Sequence, residues 1–253
     1  MNSPYPDTVF HFTNSAGLKG ILSEGFRLSH ARELIATSSE TKKFAVPIAS
    51  FCDLRLSELP YHMKKYGEFG VGLTKSWAKT KGLNPVVYAN QESEFARELF
   101  SGINAFHQHL QTIDDIIETK KAESAYMKIL NALRYVKNYE GELFRRGKNM
   151  GKYRFADERE WRYVLPLDTK NNFAFHPWEI LSKPEYKKML NDQIAHHKLE
   201  FAASDVKYII VPSGKNVPAL KKNIVKLSAR YSQAQREHLQ AKIITAEQIK
   251  LDM

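Results

Sequence analysis

The run Phe155-Ala156-Asp157-Glu158-Arg159-Glu160-Trp161-Arg162-Tyr163-Val164-Leu165 decides how this chain is read. If it enters a strand near Glu158, period-two alternation places Glu158, Glu160 and Arg162 on one face. Arg159, Trp161, Tyr163 and Leu165 fall on the other, which is mostly apolar and suited to a core. Three charges in a row on an otherwise buried strand need a cleft and partners, because burying such groups unpaired is prohibitive. An edge strand with a Glu and Arg ladder facing water fits the same pattern, and both readings stay open here.

Outward from this run, the period of the apolar residues changes several times. Val9 to Thr13 reads as a strand, followed by Asn14 and Ser15 as capping candidates for a helix through Leu18, Ile21 and Leu22 that ends at Gly25. A strand is expected between Ala45 and Cys52, then a short helix from Ser57 to Tyr66 closed by Gly67. Phe69 to Leu73 and Pro85 to Tyr88 read as strands, with a helix-like stretch around Trp77 between them. From Gln91 to Val136 the period is helical: Ala122, Tyr126, Ile129, Leu133 and Val136 recur at four-three spacing. That stretch defines a helical insertion at about residues 91–140. Strands return at Trp161 to Leu165, Val206 to Val211 and Lys242 to Thr245, with helices over Tyr186 to His196 and Leu220 to Leu227. Strands interrupted this unevenly predict an α+β fold with a mixed sheet, since a doubly wound fold alternates regularly.

A chain of 253 residues with 43% apolar content suits one domain carrying an insertion. Lys and Arg outnumber Asp and Glu by 38 to 28, and the resulting +10 attracts polyanions at long range, nucleic acid among them. The lone cysteine, Cys52, lies in an apolar run and reads as a small buried hydrophobe in a reducing cytoplasm. No secretory leader pattern opens the sequence and no apolar run is long enough to span a membrane, so a cytoplasmic location is expected. Walker-type phosphate loops, His-Glu-x-x-His zinc helices, Gly-x-Ser-x-Gly elbows and zinc cysteine sets do not occur, and no metal is expected. Gly70-x-Gly72 lacks the rest of a dinucleotide fingerprint and reads as a place where two backbones approach closely.

Three further constellations could carry chemistry. His11-Phe12-Thr13 ends the first strand and offers an imidazole and a hydroxyl, although a histidine so placed is more often a satisfied core residue. His62 and Tyr66 lie four apart on one helix face, and Tyr66 is either a stacking platform or core. From Arg134 to Arg154 seven basic residues stand against two acidic ones, with Tyr135, Tyr139, Phe144 and Tyr153 interleaved. Such a segment can neutralise phosphates and stack on unpaired bases, or it can be a solvated helix end and loop.

The phrases Val9 to Thr13, Phe51 to Ser57, His62 to Trp77, Gly82 to Tyr88 and Glu158 to Tyr163, in that order, resemble the AbiGi-like abortive-infection family, which carries an antitoxin label. They are more distantly similar to ADP-ribosyltransferases, including DarT-like enzymes. The resemblance implies an ADP-ribosyltransferase-type sheet with NAD as substrate. It assigns His11, Phe12, Thr13 and Tyr66 to NAD, Glu160 to catalysis and Glu158 to orienting the target. A carboxylate bonded to the ribose 2′-hydroxyl would stabilise the oxocarbenium-like transition state. In such transferases the segment before the catalytic strand touches the target, which here means Arg145, Arg146, Lys148, Lys152 and Arg154. The expectation is an antiphage transferase acting on nucleic acid and restrained by a cognate antitoxin or regulator. The rivals are transfer to a protein side chain, a non-enzymatic antitoxin or binding module, and a nuclease built on Asp157, Glu158 and Glu160.

Overall fold

The computed structural model describes residues 6–145, 148–166 and 176–252. Strand β1 (Thr8–Thr13) leads into helix α1 (Ser15–Glu24), which starts where the Asn14 side chain accepts the Gly17 N–H and stops at Gly25. After β2 (Phe26–Arg27), strands β3 (Ser29–Ala36) and β4 (Thr41–Cys52) form a long hairpin. Helix α2 (Leu59–Tyr66), β5 (Phe69–Thr74), α3 (Lys75–Thr80), β6 (Asn84–Pro85) and β7 (Val87–Ala89) follow. The insertion is a pair of helices, α4 (Glu94–Leu110) and α5 (Ile116–Leu133), after which come β8 (Val136–Asn138), β9 (Glu140–Arg145), β10 (Lys148–Arg154) and β11 (Glu160–Val164). The last third holds β12 (His176–Pro177), α6 (Pro184–Gln193), β13 (Lys198–Leu199), β14 (Val206–Val211), α7 (Val217–Val225), α8 (Gln233–Ala241), β15 (Ile243–Thr245) and α9 (Ala246–Asp252).

The main sheet runs β15-β14-β5-β1-β4-β11-β6, with β3 and β12 also paired to the long β4. The β14–β15 pair is parallel and the other pairs in this sheet are antiparallel, so the fold is α+β with a mixed sheet, as the uneven pattern predicts. One face buries Val9, Phe51, Val71 and Leu73 against Leu18, Leu22 and Trp77 of α1 and α3. Burying a side chain such as Phe51 stabilises by about 1.5–3 kcal/mol. On the other face, Phe10 and Cys52 meet Leu59 and Met63 of α2, while Val46 and Val164 meet Phe100, Ile103 and Leu133 of the insertion. Among the described residues no helix is long and apolar enough to cross a membrane.

Several expectations are corrected. Strand β3 escaped the sequence reading because Arg32 and Glu33 interrupt its apolar alternation, and long-range pairing with β4 overrides the local pattern. The stripe through α5 ends at Leu133, Ile129 is 39% exposed, and Val136 belongs to β8, which pairs in parallel with β7. The single strand expected over Pro85 to Tyr88 is two: Asn84–Pro85 at the edge on β11, where a proline costs no ladder bond, and Val87–Ala89 on β8.

Gly70 and Gly72 pair with Phe12 and Phe10 across β1. A Cβ built on Gly72 would stand 2.7 Å from the Phe10 ring and 3.0 Å from the Thr8 methyl. The two strands therefore approach at a spacing that only glycine permits under those rings. Gly72→Ala should destabilise the fold by about 1–3 kcal/mol through overpacking; a urea midpoint unchanged from wild type would show that the rings yield without cost.

Candidate functional site

Residues Phe155–Glu158 form a 3-10 turn, not the start of the strand, and Arg159 at φ 43° swings the chain into β11. A non-glycine residue in the left-handed region is strained by about 1–3 kcal/mol and persists only where its surroundings fix it. Here the Arg159 Nε donates to the Asp53 carbonyl at 2.6 Å, its guanidinium bonds Glu58, and its own carbonyl accepts the Asp53 N–H.

Once in the strand, Glu160 and Arg162 point the same way, and their face is the more deeply buried one. Glu160 is 4% exposed and Arg162 fully buried, whereas Trp161 and Tyr163 are half-buried on the opposite side. The edge ladder facing water is therefore ruled out, and the charged face has its partners. Glu160 Oε1 accepts from Ser50 Oγ at 2.6 Å and Arg162 Nε at 2.9 Å, while Oε2 accepts from Lys137 Nζ at 2.9 Å and an Arg162 terminal nitrogen at 3.2 Å. Arg162 also donates to the Arg134 carbonyl at 2.7 Å and to Glu33 at 3.2 Å. The Glu160 N–H donates to the Tyr88 hydroxyl at 2.8 Å. Next to this set, Glu158 accepts from the Tyr66 hydroxyl and lies 3.6 Å from Lys137 Nζ.

Electrostatics follow from this bonding. Burial alone would raise the Glu160 pKa, but the charges of Arg162 and Lys137 more than reverse it and hold the carboxyl well below its ordinary range. Burial works against the Lys137 charge too, and Glu160 with Glu158 overcomes it, so the ammonium is held. Burial pushes the Tyr88 phenol up to about 12.

The residues that sequence assigned to one pocket are divided between two faces. Register pairs Phe10 with Cys52 and Cys52 with Glu160, so Glu160, Cys52 and Phe10 share a face, while His11 goes with Phe51 and Trp161. The His11 ring packs 5.3 Å from Phe26 and 5.5 Å from Phe51, and its Nδ1 donates to the Ser50 carbonyl at 2.8 Å. Burial lowers its pKa, which keeps the ring neutral. Phe12 lies on the Glu160 side, where its ring meets His62, and His62 stacks on Tyr66 at 4.2 Å. Thr13 and Tyr66 meet at a groove of 510 Å³ with Asn14, Gly67, Glu68, Phe69 and Pro212, and Tyr66 joins this groove to the cluster through its bond to Glu158.

The basic stretch is also divided. Arg134 and Lys137 are interior partners of the cluster, and the rest forms the β9–β10 hairpin in place of a loop. Lys152 pairs with Glu140 at 2.7 Å and Arg154 with Asp157 at 2.6 Å, both exposed, and Lys148 is exposed. Arg146 and the side chain of Arg145 lie outside the described residues. Asp157 thus faces Arg154, not Glu160, and among the described residues no three His, Cys, Asp or Glu side chains gather to hold a metal ion. Sequence reasoning missed Ser50, Tyr88 and Glu33. The signal for Glu33 was its spacing of two from both Ala31 and Ile35 on the inward side of β3.

Arg162→Met should cost about 3–5 kcal/mol, because Glu160 and Glu33 would remain buried without their cation. The depressed Glu160 pKa contributes stability that is complete above the unfolded value and lost as pH falls through the lower folded value. Wild type should therefore lose urea stability between about pH 5 and 3 more steeply than Glu160→Gln. Parallel slopes in the two proteins would remove Glu160 as a source of the acid sensitivity.

The family model for abortive phage resistance protein AbiGi, antitoxin, matches residues 26–212, a span that includes β3, β4, β8 and β11, the strands that hold the Glu160 cluster. The abortive phage resistance protein AbiGi of Lactococcus lactis subsp. cremoris is 26% identical over 229 residues, covering 83% of this chain and 90% of that protein. No solved structure matches. The match spans the β3–β4 hairpin, the insertion and the buried cluster together, and this chain belongs to the AbiGi family of abortive phage resistance proteins.

Proposed function

We propose that this chain serves abortive phage resistance as an antitoxin-type binding component, recognising a macromolecular partner without turning over a substrate. The antitoxin description of the family supports the assignment. The observation that carries it is the Glu160 carboxylate. Both of its oxygens are engaged by Ser50, Lys137 and Arg162, and the group is 4% exposed. A carboxylate that stabilises a developing cation must present an oxygen to substrate, and this one presents its oxygens to the fold. His11, the other residue such chemistry would use, packs on the opposite face of the sheet against Phe26 and Phe51.

A second reading, an NAD-dependent ADP-ribosyltransferase acting on nucleic acid, has one specific observation in its favour. β1 meets β4 through a single pair, Phe10 and Cys52, against six pairs between β1 and β5. That seam is the weakest junction in the centre of the sheet, and His11, Ser50, Tyr66, Glu158 and Glu160 lie around it on its two faces. In this reading the seam would open to admit NAD, Lys137 and Arg162 would release Glu160, and an ADP-ribosyltransferase-type fold would be preserved.

Incubating the purified chain with labelled NAD, alone and with total RNA, single-stranded DNA or cell protein, separates the two readings. The expected outcome is no consumption of NAD above a buffer control, and Glu160→Gln altering stability alone. Label transfer that disappears in Glu160→Gln would replace the binding reading with the transferase.

A further inference from the structure

The β9–β10 hairpin is set apart from the rest of the sheet. Among the described residues β10 pairs only with β9, and the hairpin forms its own two-stranded sheet. Its inner face is fastened to the body: Leu143 is buried, and the Tyr153 ring lies 3.6 Å from Lys65 Nζ and 5.5 Å from the Phe155 ring. Its outer edge, Lys148-Asn149-Met150-Gly151-Lys152-Tyr153-Arg154, is exposed except at Tyr153 and carries three cations with no anion. Met150 and Phe144 are 58% and 65% exposed. The strand bulges at Met150–Gly151, where Gly151 takes φ 82° and gives its N–H to the Asn149 side-chain oxygen, and on the regular stretch Lys152–Arg154 a fastened strand with an exposed edge is a template for one more strand.

We infer that β10 is a docking edge for an acidic extended segment of a partner protein, added as a further strand beside Lys148, Lys152 and Arg154. The inference rests on the binding reading and names its surface. Charge complementarity selects the occupant. A second copy of this chain would set three cations against three. The carboxylates now on Lys152 and Arg154 come from Glu140 and Asp157 in exposed pairs, and such pairs contribute about 0–1 kcal/mol. A partner's carboxylates can therefore take their place at small cost. Nucleic acid fits less well, because its phosphates would meet the same charges as a partner's carboxylates yet leave the strand edge unpaired.

The probes are a short fluorescent peptide of alternating Glu and Val, its Gln and Val counterpart, a Glu and Val peptide N-methylated at alternate residues, and oligouridylate. With the full chain, the acidic peptide should bind saturably and slow amide exchange across residues 148–154. N-methylation should weaken binding at least about tenfold, since it removes strand hydrogen bonds and keeps the charge. The Gln peptide should bind several-fold more weakly, and so should the acidic peptide to Lys148→Gln/Lys152→Gln, whose thermal unfolding should match wild type. Absence of saturable binding, equal affinity for the N-methylated peptide, or protection elsewhere than β10 would overturn the proposal. Displacement of the peptide by oligouridylate with tighter binding would also overturn it, in favour of a nucleic-acid surface. Peptide failure with NAD unconsumed removes only this edge, whereas Glu160-dependent NAD consumption removes the binding reading itself.

Discussion

The buried guanidinium of Arg162 is the constraint on which the rest of the structure depends. It is fully buried, and its donors reach Glu160 on its own strand, Glu33 on β3 and the Arg134 carbonyl just past α5. One side chain thereby ties the centre of the sheet to the long hairpin and to the helical insertion. Removing a charge from water costs several kcal/mol even after relaxation, and attraction offsets this only when the geometry is complete. The need for completeness explains the neighbours. Ser50 and Lys137 satisfy the remaining lone pairs of Glu160, and Tyr88 takes the N–H that would otherwise face the cluster alone.

The same completeness decides what the face can do chemically. A carboxylate held ionised by two cations is a strong acceptor, but its acceptor sites are already filled. Glu158 is the less tightly held member, with a phenol on one oxygen and Lys137 3.6 Å from the other. It also sits beside Tyr153, whose pKa is raised by burial and by the Glu158 charge. Glu158 therefore lies between the interior cluster and the inner face of the β9–β10 hairpin, and Arg159 in its strained conformation sets that position. The strain serves a junction between core and arm, and the core strand needs no such turn to pair with β4.

What was legible in the sequence was local. β1, β5 and β14 read correctly because each is a short run rich in β-branched, aromatic and other apolar residues, and α1 because Asn14 caps it and Gly25 stops it. Of the two readings open for Glu160 and Arg162 the burial argument holds, since two charges on one face of an interior strand demand partners. It could not name them. Ser50 stands 110 residues away inside an apolar run, and Lys137 was one cation among seven in a stretch that looked like surface. Their roles depend on the register between β4 and β11 and on the short β8, which tertiary pairing sets. His11 went the opposite way: one position of register puts its ring among phenylalanines on the far side of the sheet from Glu160. A shift of one residue exchanges faces, so order along the chain could not distinguish the two placements.

Charge unites the interior with the surface. The three buried carboxylates Glu33, Glu158 and Glu160 face the two cations Lys137 and Arg162, which leaves the paired set one negative charge in excess, while the buried Arg134 guanidinium is given to the Leu165 carbonyl. The basic excess of +10 therefore comes from residues outside that set. A tightly paired interior adds rigidity, and the outer excess adds a field that draws anionic partners without affecting how the core is paired. Under the proposed binding reading, cations distributed this way serve recognition at the surface. The core fixes the inner face of the hairpin through Glu158, Tyr153 and Lys65, so that the cations of β10 stay exposed at a fixed place.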